Sequence, residues 1–209
     1  MAGTHARDDD DRAAQARAER RRQILDAATE VFAEVGYHEA SINAIIERAE
    51  IARGTFYLYF ESKAAVFDSI LEGAMRELRA RISRIDVEDP SAPPPQVQLR
   101  EVLVRVLEYV VGDRTLTRIL LAGGRTQETE AAQRLDAFFA EIRGIIELGL
   151  HHGMAMKLVR PCNKEIVANA LLGTARGVIE GLVLHGLSAS VDDVVNEMIA
   201  LSLRGVLAG

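Results

Sequence analysis

The chain is poor in cysteine, proline and aromatic residues, and each shortage excludes a class of protein. A single cysteine among 209 residues excludes an internal disulfide and a cysteine-rich zinc module, and it is typical of a reducing compartment. Five prolines leave most of the chain free to form regular structure. Tryptophan is absent and aromatic residues make up 5% of the chain, so the position of each one is informative.

The N-terminus also lacks a long apolar run. Its first residues, MAGTHARDDDDRAAQARAERRR, do not contain the apolar stretch of a secretory signal. We identify no run of about 18 apolar residues that could span a bilayer, and therefore expect a cytoplasmic protein with no membrane partner. The net charge of −6 excludes a basic protein that coats nucleic acid regardless of sequence. A local cationic surface could still bind DNA, because phosphate contacts need cations only where the duplex lies.

Apolar spacing divides the chain into a tail and two helical regions. Residues 1–19 have no apolar period and are predicted to form a disordered, solvated tail. From Arg20 onward, apolar residues recur every three or four positions, and no alternating strand pattern appears. The sequence therefore predicts an all-α protein of about nine helices, with a three-helix domain over 20–67 and a helical bundle over 68–209.

Individual residues predict where helices begin and end. Gly36 is expected to end the first helix in a left-handed backbone conformation. Ser41 and Ser62 are expected to cap the helices that follow them. The segment DVEDPSAPPPQ contains four prolines and is predicted to be a linker, and Gly123-Gly124 is predicted to end a later helix.

Four aromatic side chains lie in the eight-residue segment Arg53-Gly54-Thr55-Phe56-Tyr57-Leu58-Tyr59-Phe60. Short helices in this arrangement are typical of a helix-turn-helix, in which the second helix of the pair enters the major groove of DNA. Phe56 and Phe60 are four residues apart and can face inward together. Threonine and tyrosine would then be available to phosphates, and arginine to guanine. Taken alone, the same aromatic residues are equally consistent with an ordinary core patch.

The charge of this segment does not by itself indicate DNA binding. Residues 13–63 contain seven Lys or Arg and eight Asp or Glu, so the cations must cluster on one surface if the domain binds phosphates. Arg20-Arg21-Arg22 is consistent with a solvated helix start or with an arm close to neighbouring phosphates. Both interpretations remain open.

The stretch from Arg22 to Phe67 resembles the DNA-binding domain of TetR-family transcriptional regulators. The resemblance rests on ILDAATEVFAEVGYHEASINAI and AEIARGTFYLYFESKAAVF, whose G-T-F-Y-x-Y-F-x-S-K-x-x-x-F spacing is specific in combination. It covers the first quarter to third of the chain, and the remainder resembles the family in being a helical bundle of the right length. The resemblance implies DNA contacts from Ser41, Asn43, Arg53, Thr55, Tyr57, Tyr59 and Lys63, with Arg53 at a variable base-reading position.

Two residues depart from the family pattern. Glu50 stands where glycine is usual, and a left-handed backbone there would cost about 1–2 kcal/mol. Ala52 stands where serine is common, so the third helix is expected to lack a side-chain N-cap, a loss of about 0.5–2 kcal/mol. Both departures suggest a reading helix that depends on packing against the first helix.

Three glycines recur every four residues on one predicted helix. Each glycine costs about 1 kcal/mol relative to alanine inside a helix, so another helix is expected to approach closely there. The resemblance implies that the last two helices form a homodimer interface, and packing within one chain is the alternative. The predicted interface residues are Gly173, Gly177, Gly181, Val178, Leu182, Val195, Met198 and Ile199.

The resemblance implies a homodimeric repressor that a small, mostly apolar effector releases from a pseudo-palindromic operator of double-stranded DNA. Candidate effector contacts are polar or aromatic residues on otherwise apolar helices, namely Tyr109, Arg118, Phe138, Phe139, His151, Arg176 and Glu180. A regulator that is constitutive or controlled by a partner is an alternative, and an all-α enzyme is a more remote one. We find no Ser-His-Asp arrangement, phosphate-binding glycine loop or paired carboxylates, and therefore predict no enzyme activity and no cofactor.

Two further features have weak functional interpretations. Glu147 and His151 are four residues apart and could hold a metal ion from one helix face, but the sequence offers no evident third and fourth ligand. No metal site is therefore predicted. Cys162 has basic neighbours that could lower its pKa, so a redox-sensing thiol and an incidental packing role are both compatible with the sequence.

Overall fold

The computed structural model describes residues 3–122 and 130–206, with side chains over 11–122 and 130–201. Within these ranges the chain forms nine helices and no strands, which confirms the predicted all-α class. The helices are α1 Gly3–Glu39, α2 Ile42–Arg48, α3 Arg53–Tyr57, α4 Lys63–Arg81, α5 Pro95–Gly112, α6 Arg114–Ala122, α7 Glu130–Ala155, α8 Lys164–Leu184 and α9 Val191–Val206. The helix end predicted at Gly123-Gly124 lies outside the described residues.

The chain folds as two compact units, Met1–Gly73 and Ala74–Gly209. The boundary therefore falls inside α4, six residues after the predicted one at 67/68. The buried residues Val66, Phe67, Ile70 and Leu71 belong to the N-terminal unit, whereas Ala74, Met75 and Leu78 belong to the C-terminal unit. One continuous helix thus contributes core residues to both units.

The first helix begins much earlier than its apolar pattern indicates. It starts at Gly3, so the segment predicted to be a disordered tail is helical, although the side chains over 11–22 are exposed as expected. Alanine and arginine have high helix propensity, and neither proline nor glycine interrupts residues 4–35. The packed helix that follows supplies a nucleus from which this segment can extend.

The core of the N-terminal unit joins α1 to α4 through aromatic contacts. The Phe32 ring lies 5.5 Å from the Tyr37 and Phe67 rings, and the Tyr37 and Phe67 centroids are 4.8 Å apart. Ile24 and Ile45 are fully buried in the same unit. These contacts establish the frame against which the short helices pack.

The predicted caps agree with the structure. Gly36 has φ +80° and interrupts the helical dihedrals near the end of α1. Ser41 Oγ accepts a hydrogen bond from the Ala44 amide, and Ser62 Oγ accepts one from the Ala65 amide, each at 3.1 Å. These bonds fix the starts of α2 and α4.

The proline-rich linker is shorter than predicted. Helix α5 begins at Pro95, inside the DVEDPSAPPPQ segment. Proline is tolerated in the first turn because its missing N–H would have no helical partner there. The side chain of Asn163 caps α8 by accepting from the Ile166 amide at 3.2 Å.

The C-terminal unit packs α5, α6, α8 and α9 around one apolar core. Its buried members are Leu107, Leu121, Leu182, Val183, Val194 and Val195. Two arginines add polar connections between these helices. Arg100 pairs with Asp192 at 2.5 Å, and Arg114 donates to the Leu182 carbonyl at 2.8 Å.

Helix α8 is unusually apolar for a helix with so much exposed surface. An 18-residue window within its 21 residues has a mean hydropathy of 1.4, yet only 17% of that window is buried. By length and composition this helix could cross a membrane, contrary to the expectation that the chain holds no such segment. The core helix of a soluble protein can also meet these criteria.

The backbone of Glu50 generates a test of the turn between α2 and α3. Glu50 has φ +51°, so the predicted left-handed conformation is present. Glu50→Gly should raise the free energy of unfolding of the N-terminal unit by about 0.5–1 kcal/mol. The relieved strain of about 1–2 kcal/mol exceeds the backbone entropy cost of glycine, about 0.5–1 kcal/mol.

Urea denaturation measures this effect, and Glu47→Gly is the matched control. Glu47 lies within the helical part of α2, where glycine should instead lower stability by about 0.5–1 kcal/mol. A loss of stability in Glu50→Gly would contradict the strain assignment.

Candidate nucleic-acid interface

Helices α2 and α3, joined by the turn at Glu50, form a helix-turn-helix. Phe56 is fully buried and Phe60 is 4% exposed, so one side of the α3 segment faces the core, as predicted. The opposite side presents Arg53 and Tyr57 to solvent, with Tyr57 46% exposed. A helix of five residues has one outward face, and the buried phenylalanines determine which face that is.

Contacts with α2 hold Arg53 on this outward face. Its Nη1 donates to Asn43 Oδ1 at 3.3 Å, and its guanidinium lies 5.9 Å from the centroid of the Tyr57 ring. Asn43 and Arg53 are both exposed. The arrangement leaves several N–H groups of Arg53 available to donate hydrogen bonds to acceptors such as O6 and N7 of guanine.

Helix α1 braces the helix-turn-helix at its turn. Gln23 Nε2 donates to the Ala49 carbonyl at 2.7 Å. Arg48 forms ion pairs with Glu30 at 2.9 Å and Glu34 at 2.7 Å. Hydrogen bonding from Arg48 lowers the pKa of Glu34 and, reciprocally, raises the pKa of Arg48. Sequence reasoning missed Gln23 and Arg48, because contacts across 14 to 26 residues leave no local pattern.

The structure places Lys63, which the resemblance implies as a DNA contact, against the end of α1. Its ammonium donates to the carbonyls of Tyr37 at 2.6 Å, Ala40 at 2.8 Å and His38 at 3.3 Å. It also lies 4.5 Å from the Tyr37 ring centroid. An ammonium has three N–H donors, and the three acceptors are two carbonyls in the last turn of α1 and that of Ala40 just after it. Lys63 therefore satisfies the last carbonyls of α1 and joins that helix to the start of α4.

Arg21 makes a second connection from α1 toward the reading segment. Its guanidinium lies 5.0 Å from the Phe60 ring centroid, and its Nη2 donates to Ser69 Oγ at 2.9 Å. Phe60 lies three residues after the end of α3, and Ser69 belongs to α4. The start of the packed part of α1 is thus adjacent to the end of the reading segment.

The remaining predicted DNA contacts differ in accessibility. Ser41 is exposed, but its hydroxyl oxygen already caps α2, whereas Thr55 and Tyr59 are half-buried. Leu58, which was not predicted, is 74% exposed at the end of α3. Gly54, one turn earlier, is exposed, and an added Cβ there would meet nothing within 4 Å. Their four-residue spacing could have revealed that they share a face.

Three of the candidate effector residues come together in the C-terminal unit. Phe138 and Phe139 pack edge to face at 5.5 Å, and Phe138 is 6% exposed. The Arg176 guanidinium lies 4.9 Å from the Phe139 ring centroid. These residues of α7 and α8 form one cluster with an apolar body and a cationic side.

The other candidate effector residues do not join this cluster. Arg118 and His151 are exposed, and Glu180 lies 3.5 Å from His185. Tyr109 packs beneath Arg81 at 4.3 Å, and burial, followed by the charges of Asp113 and Glu77, raises the pKa of its hydroxyl. Composition alone identified polar residues on apolar helices but could not determine which ones face each other.

The glycine ridge of α8 is mostly open. Gly173 and Gly177 are exposed, and an added Cβ at either would meet no atom within 4 Å, so neither is required by packing within the chain. Gly181 differs, because a Cβ there would lie 3.3 Å from Leu187.

Two of the predicted interface residues are buried within the chain itself. Leu182 is 6% exposed and Val195 is 1% exposed, and both lie inside the core of the C-terminal unit. Val178, Met198 and Ile199 are partly buried against the same core. Apolar residues lie on both the inward and the outward faces of α8 and α9, so their spacing in the sequence could not distinguish the two faces.

The helix-turn-helix, with its buried aromatic side and exposed polar side, defines the N-terminal unit as a DNA-binding domain. Residues 24–70 match the family model described as bacterial regulatory proteins, tetR family. Residues 24–70 therefore form a tetR-type DNA-binding domain, and the chain is a DNA-binding transcriptional regulator.

Relatives of known class extend the likeness beyond this domain. The fatty acid metabolism regulator protein of Bacillus subtilis is 23% identical over 188 residues, covering 88% of this chain and 94% of its own. The transcriptional repressor KstR of Rhodococcus jostii is 28% identical over 128 residues, covering 61% and 58%. The structure of the regulator FadR from Bacillus subtilis in complex with stearoyl-CoA has a TM-score of 0.73 at 23% identity, covering 88% and 97%. This last likeness establishes a shared fold over nearly the whole chain.

The exposed position of Arg53 predicts a base-specific effect. Arg53→Ala should relax preference at one base position of each half-site by about 1–3 kcal/mol, because a bidentate arginine–guanine contact would be lost. Competition binding against duplexes that vary one base pair at a time measures this. Arg84→Gln, which alters an arginine exposed in the C-terminal unit, is the control for charge. Uniform weakening across all sequences would instead make Arg53 a phosphate contact.

The three carbonyl bonds of Lys63 predict a loss of stability. Lys63→Met keeps the aliphatic stem but removes the donors, and should lower the free energy of unfolding of the N-terminal unit by about 1.5–3 kcal/mol. Amide hydrogen exchange over residues 37–41 should increase in parallel. Lys164→Met, at the start of α8, should leave both readouts unchanged. Unchanged stability together with a shallower salt dependence of DNA binding would support the phosphate role instead.

Proposed function

We propose that this regulator is a cytoplasmic homodimeric repressor that a small, mostly apolar effector releases from a pseudo-palindromic operator. The observation that carries the proposal is the solvent-exposed face of α3, where Arg53 and Tyr57 lie opposite the buried Phe56. The named activity of KstR as a repressor supports the direction of regulation. The complex of FadR with stearoyl-CoA supports control by a ligand.

The DNA-binding step follows from the chemistry of the outward face. Arg53 would read one base edge, while Tyr57 and the hydroxyls of Ser41, Thr55 and Tyr59 would bond to phosphates and fix the register. Asn43 would orient Arg53 through the hydrogen bond described above. Two such helices in a dimer, about 34–36 Å apart, would enter successive major grooves on one side of the duplex.

The open face of α8 supports pairing with a second copy of the chain. Ile166 is 67% exposed and Leu184 is 39% exposed, and these residues align with Gly173 and Gly177 at helical spacing. An exposed apolar stripe of this kind marks an interaction site in a soluble protein. Small residues at its centre would allow two helix backbones to approach closely. Pairing would also account for the high hydropathy and low burial of α8 without a membrane.

The cluster of Phe138, Phe139 and Arg176 is the favoured effector contact. Stearoyl-CoA combines a long apolar chain with an anionic headgroup, and the cluster offers aromatic surface beside a cation. Helix α4 would transmit the effect of effector binding to the DNA-binding domain. Its second half is joined to α7 by an ion pair between Arg79 and Glu141 at 2.5 Å. A coupling free energy of about 1–3 kcal/mol would change operator affinity about 5- to 150-fold.

Selection of bound sequences from a random DNA pool tests the proposed function directly. We expect an enriched inverted repeat, whose affinity falls when stearoyl-CoA or another apolar ligand from a thermal-shift screen is added. An enriched site that no ligand weakens would favour a constitutive or partner-controlled regulator. Failure to enrich any sequence would overturn the reading role of α3.

The glycine ridge predicts the outcome of a dimer-disrupting substitution. Gly177→Leu would place a side chain where two backbones meet, and overpacking typically costs about 1–3 kcal/mol at each occurrence. Because a two-fold axis repeats the insertion, the variant should shift toward monomer in light scattering and lose operator affinity.

Gly144→Leu is the matched control for this change. Gly144 is also exposed in mid-helix, on α7, with no atom within 4 Å of an added Cβ. Replacing either glycine with leucine raises the helix propensity of its helix, but Gly144 lies outside the proposed interface. A Gly177→Leu protein that remains dimeric and binds normally would place the interface elsewhere.

A further inference from the structure

The first part of α1 is a strongly basic helix whose side chains face solvent over residues 12–22. Residues 12–22 hold five arginines and one glutamate in a chain whose net charge is −6. All of their side chains are exposed, and the helix continues without a break into the packed part of α1. Four consecutive aspartates precede this segment in the sequence, so any phosphate-binding surface would end at Arg12.

The arginines of this segment are not equivalent. Arg22 pairs with Glu19 at 2.6 Å, and the carboxylate reduces the positive electrostatic field of the Arg22 guanidinium at longer range. Arg17, Arg20 and Arg21 follow i, i+3, i+4 spacing and therefore share one face of α1. The same spacing continues to Ile24 and Ala28, which are fully buried in the domain. The basic face is thus the N-terminal continuation of the face that packs against the helix-turn-helix.

Arg21 shows which part of the domain this basic face adjoins. It contacts the Phe60 ring and Ser69, so it lies beside the end of the reading segment. Arg20 Nη1 donates to the uncharged amide of Gln23, at 2.7 Å from its Oε1. Arg17 lies one helical turn, about 6 Å, further from the domain. The basic face therefore begins beside the end of the reading segment and extends along α1 away from the domain core.

We propose that Arg17 and Arg20 bind backbone phosphates of the duplex that flanks each half-site. This inference rests on the proposed DNA-binding role of α3 and adds a second, sequence-independent contact to it. Guanidinium groups pair strongly with phosphate oxygens, and each phosphate contact adds about 0.9 to the slope of log affinity against log salt. Two contacts from each protomer would contribute about 1.8 to that slope per half-site. The chain would thereby concentrate positive charge at the duplex despite its acidic composition.

The double variant Arg17→Gln/Arg20→Gln tests the proposal in the full-length protein. The probe is the duplex selected for the proposed function, prepared with about ten base pairs beyond each half-site or ending flush with them. On the long duplex the variant should lose affinity, and its salt slope should become shallower by about 1.8 per half-site. On the flush duplex the variant and the wild type should bind alike, which a purely structural role would not produce.

Arg22→Gln/Arg84→Gln is the control because it removes the same net charge from two arginines that already pair with glutamates. It should keep the wild-type slope on both duplexes. An unchanged slope for Arg17→Gln/Arg20→Gln on the long duplex would overturn the proposal while leaving operator binding intact. An equal loss in the control, or an equal loss on the flush duplex, would also overturn it. Absence of binding by the wild type itself would instead count against the proposed function.

Discussion

Burial of Phe56 is the constraint on which the DNA-binding surface depends. Helix α3 has only five residues, no side-chain cap at Ala52 and a strained residue at Glu50 in the preceding turn. Such a helix has little stability of its own, because nucleating a helix costs more free energy than the hydrogen bonds of a single turn recover. The fully buried Phe56 and nearly buried Phe60 hold it in place, and the same burial turns Arg53 and Tyr57 outward.

The frame that accepts these phenylalanines is fastened by polar groups as well as apolar ones. Lys63 joins the last carbonyls of α1 to the start of α4, and Arg48 joins α2 to two glutamates of α1. These cations pair with groups of the domain itself. Exposed basic charge is left mainly to Arg53 and to the arginines on the first part of α1. An acidic protein can in this way direct a cationic surface at a duplex.

Helices α4 and α8 each present apolar residues to two different surroundings. Helix α4 contributes buried residues to both units, because the boundary between Gly73 and Ala74 falls within it. Helix α8 buries Ala168, Leu182 and Val183 while exposing Ile166 and its glycine ridge. Its hydropathy is high because both sides are apolar. A second protein surface is a sufficient explanation for the exposed side.

The sequence by itself determined the helical class, the family resemblance and the local signals at Gly36, Ser41, Ser62 and Glu50. These depend on periodicity and on backbone preferences of single residues, which act over a few positions. The helical start of α1 escaped prediction, because an apolar period reports burial and an exposed alanine-rich helix has none.

Only the tertiary structure decided how individual side chains are used. Lys63 matched a phosphate-binding position in sequence, but its three carbonyl partners lie 23 to 26 residues away. Leu182 and Val195 were predicted as interface residues, but their side chains lie in the core of the C-terminal unit. A hydrogen bond or a packing contact joins residues that are close in space, whereas a sequence pattern records only residues that are close along the chain.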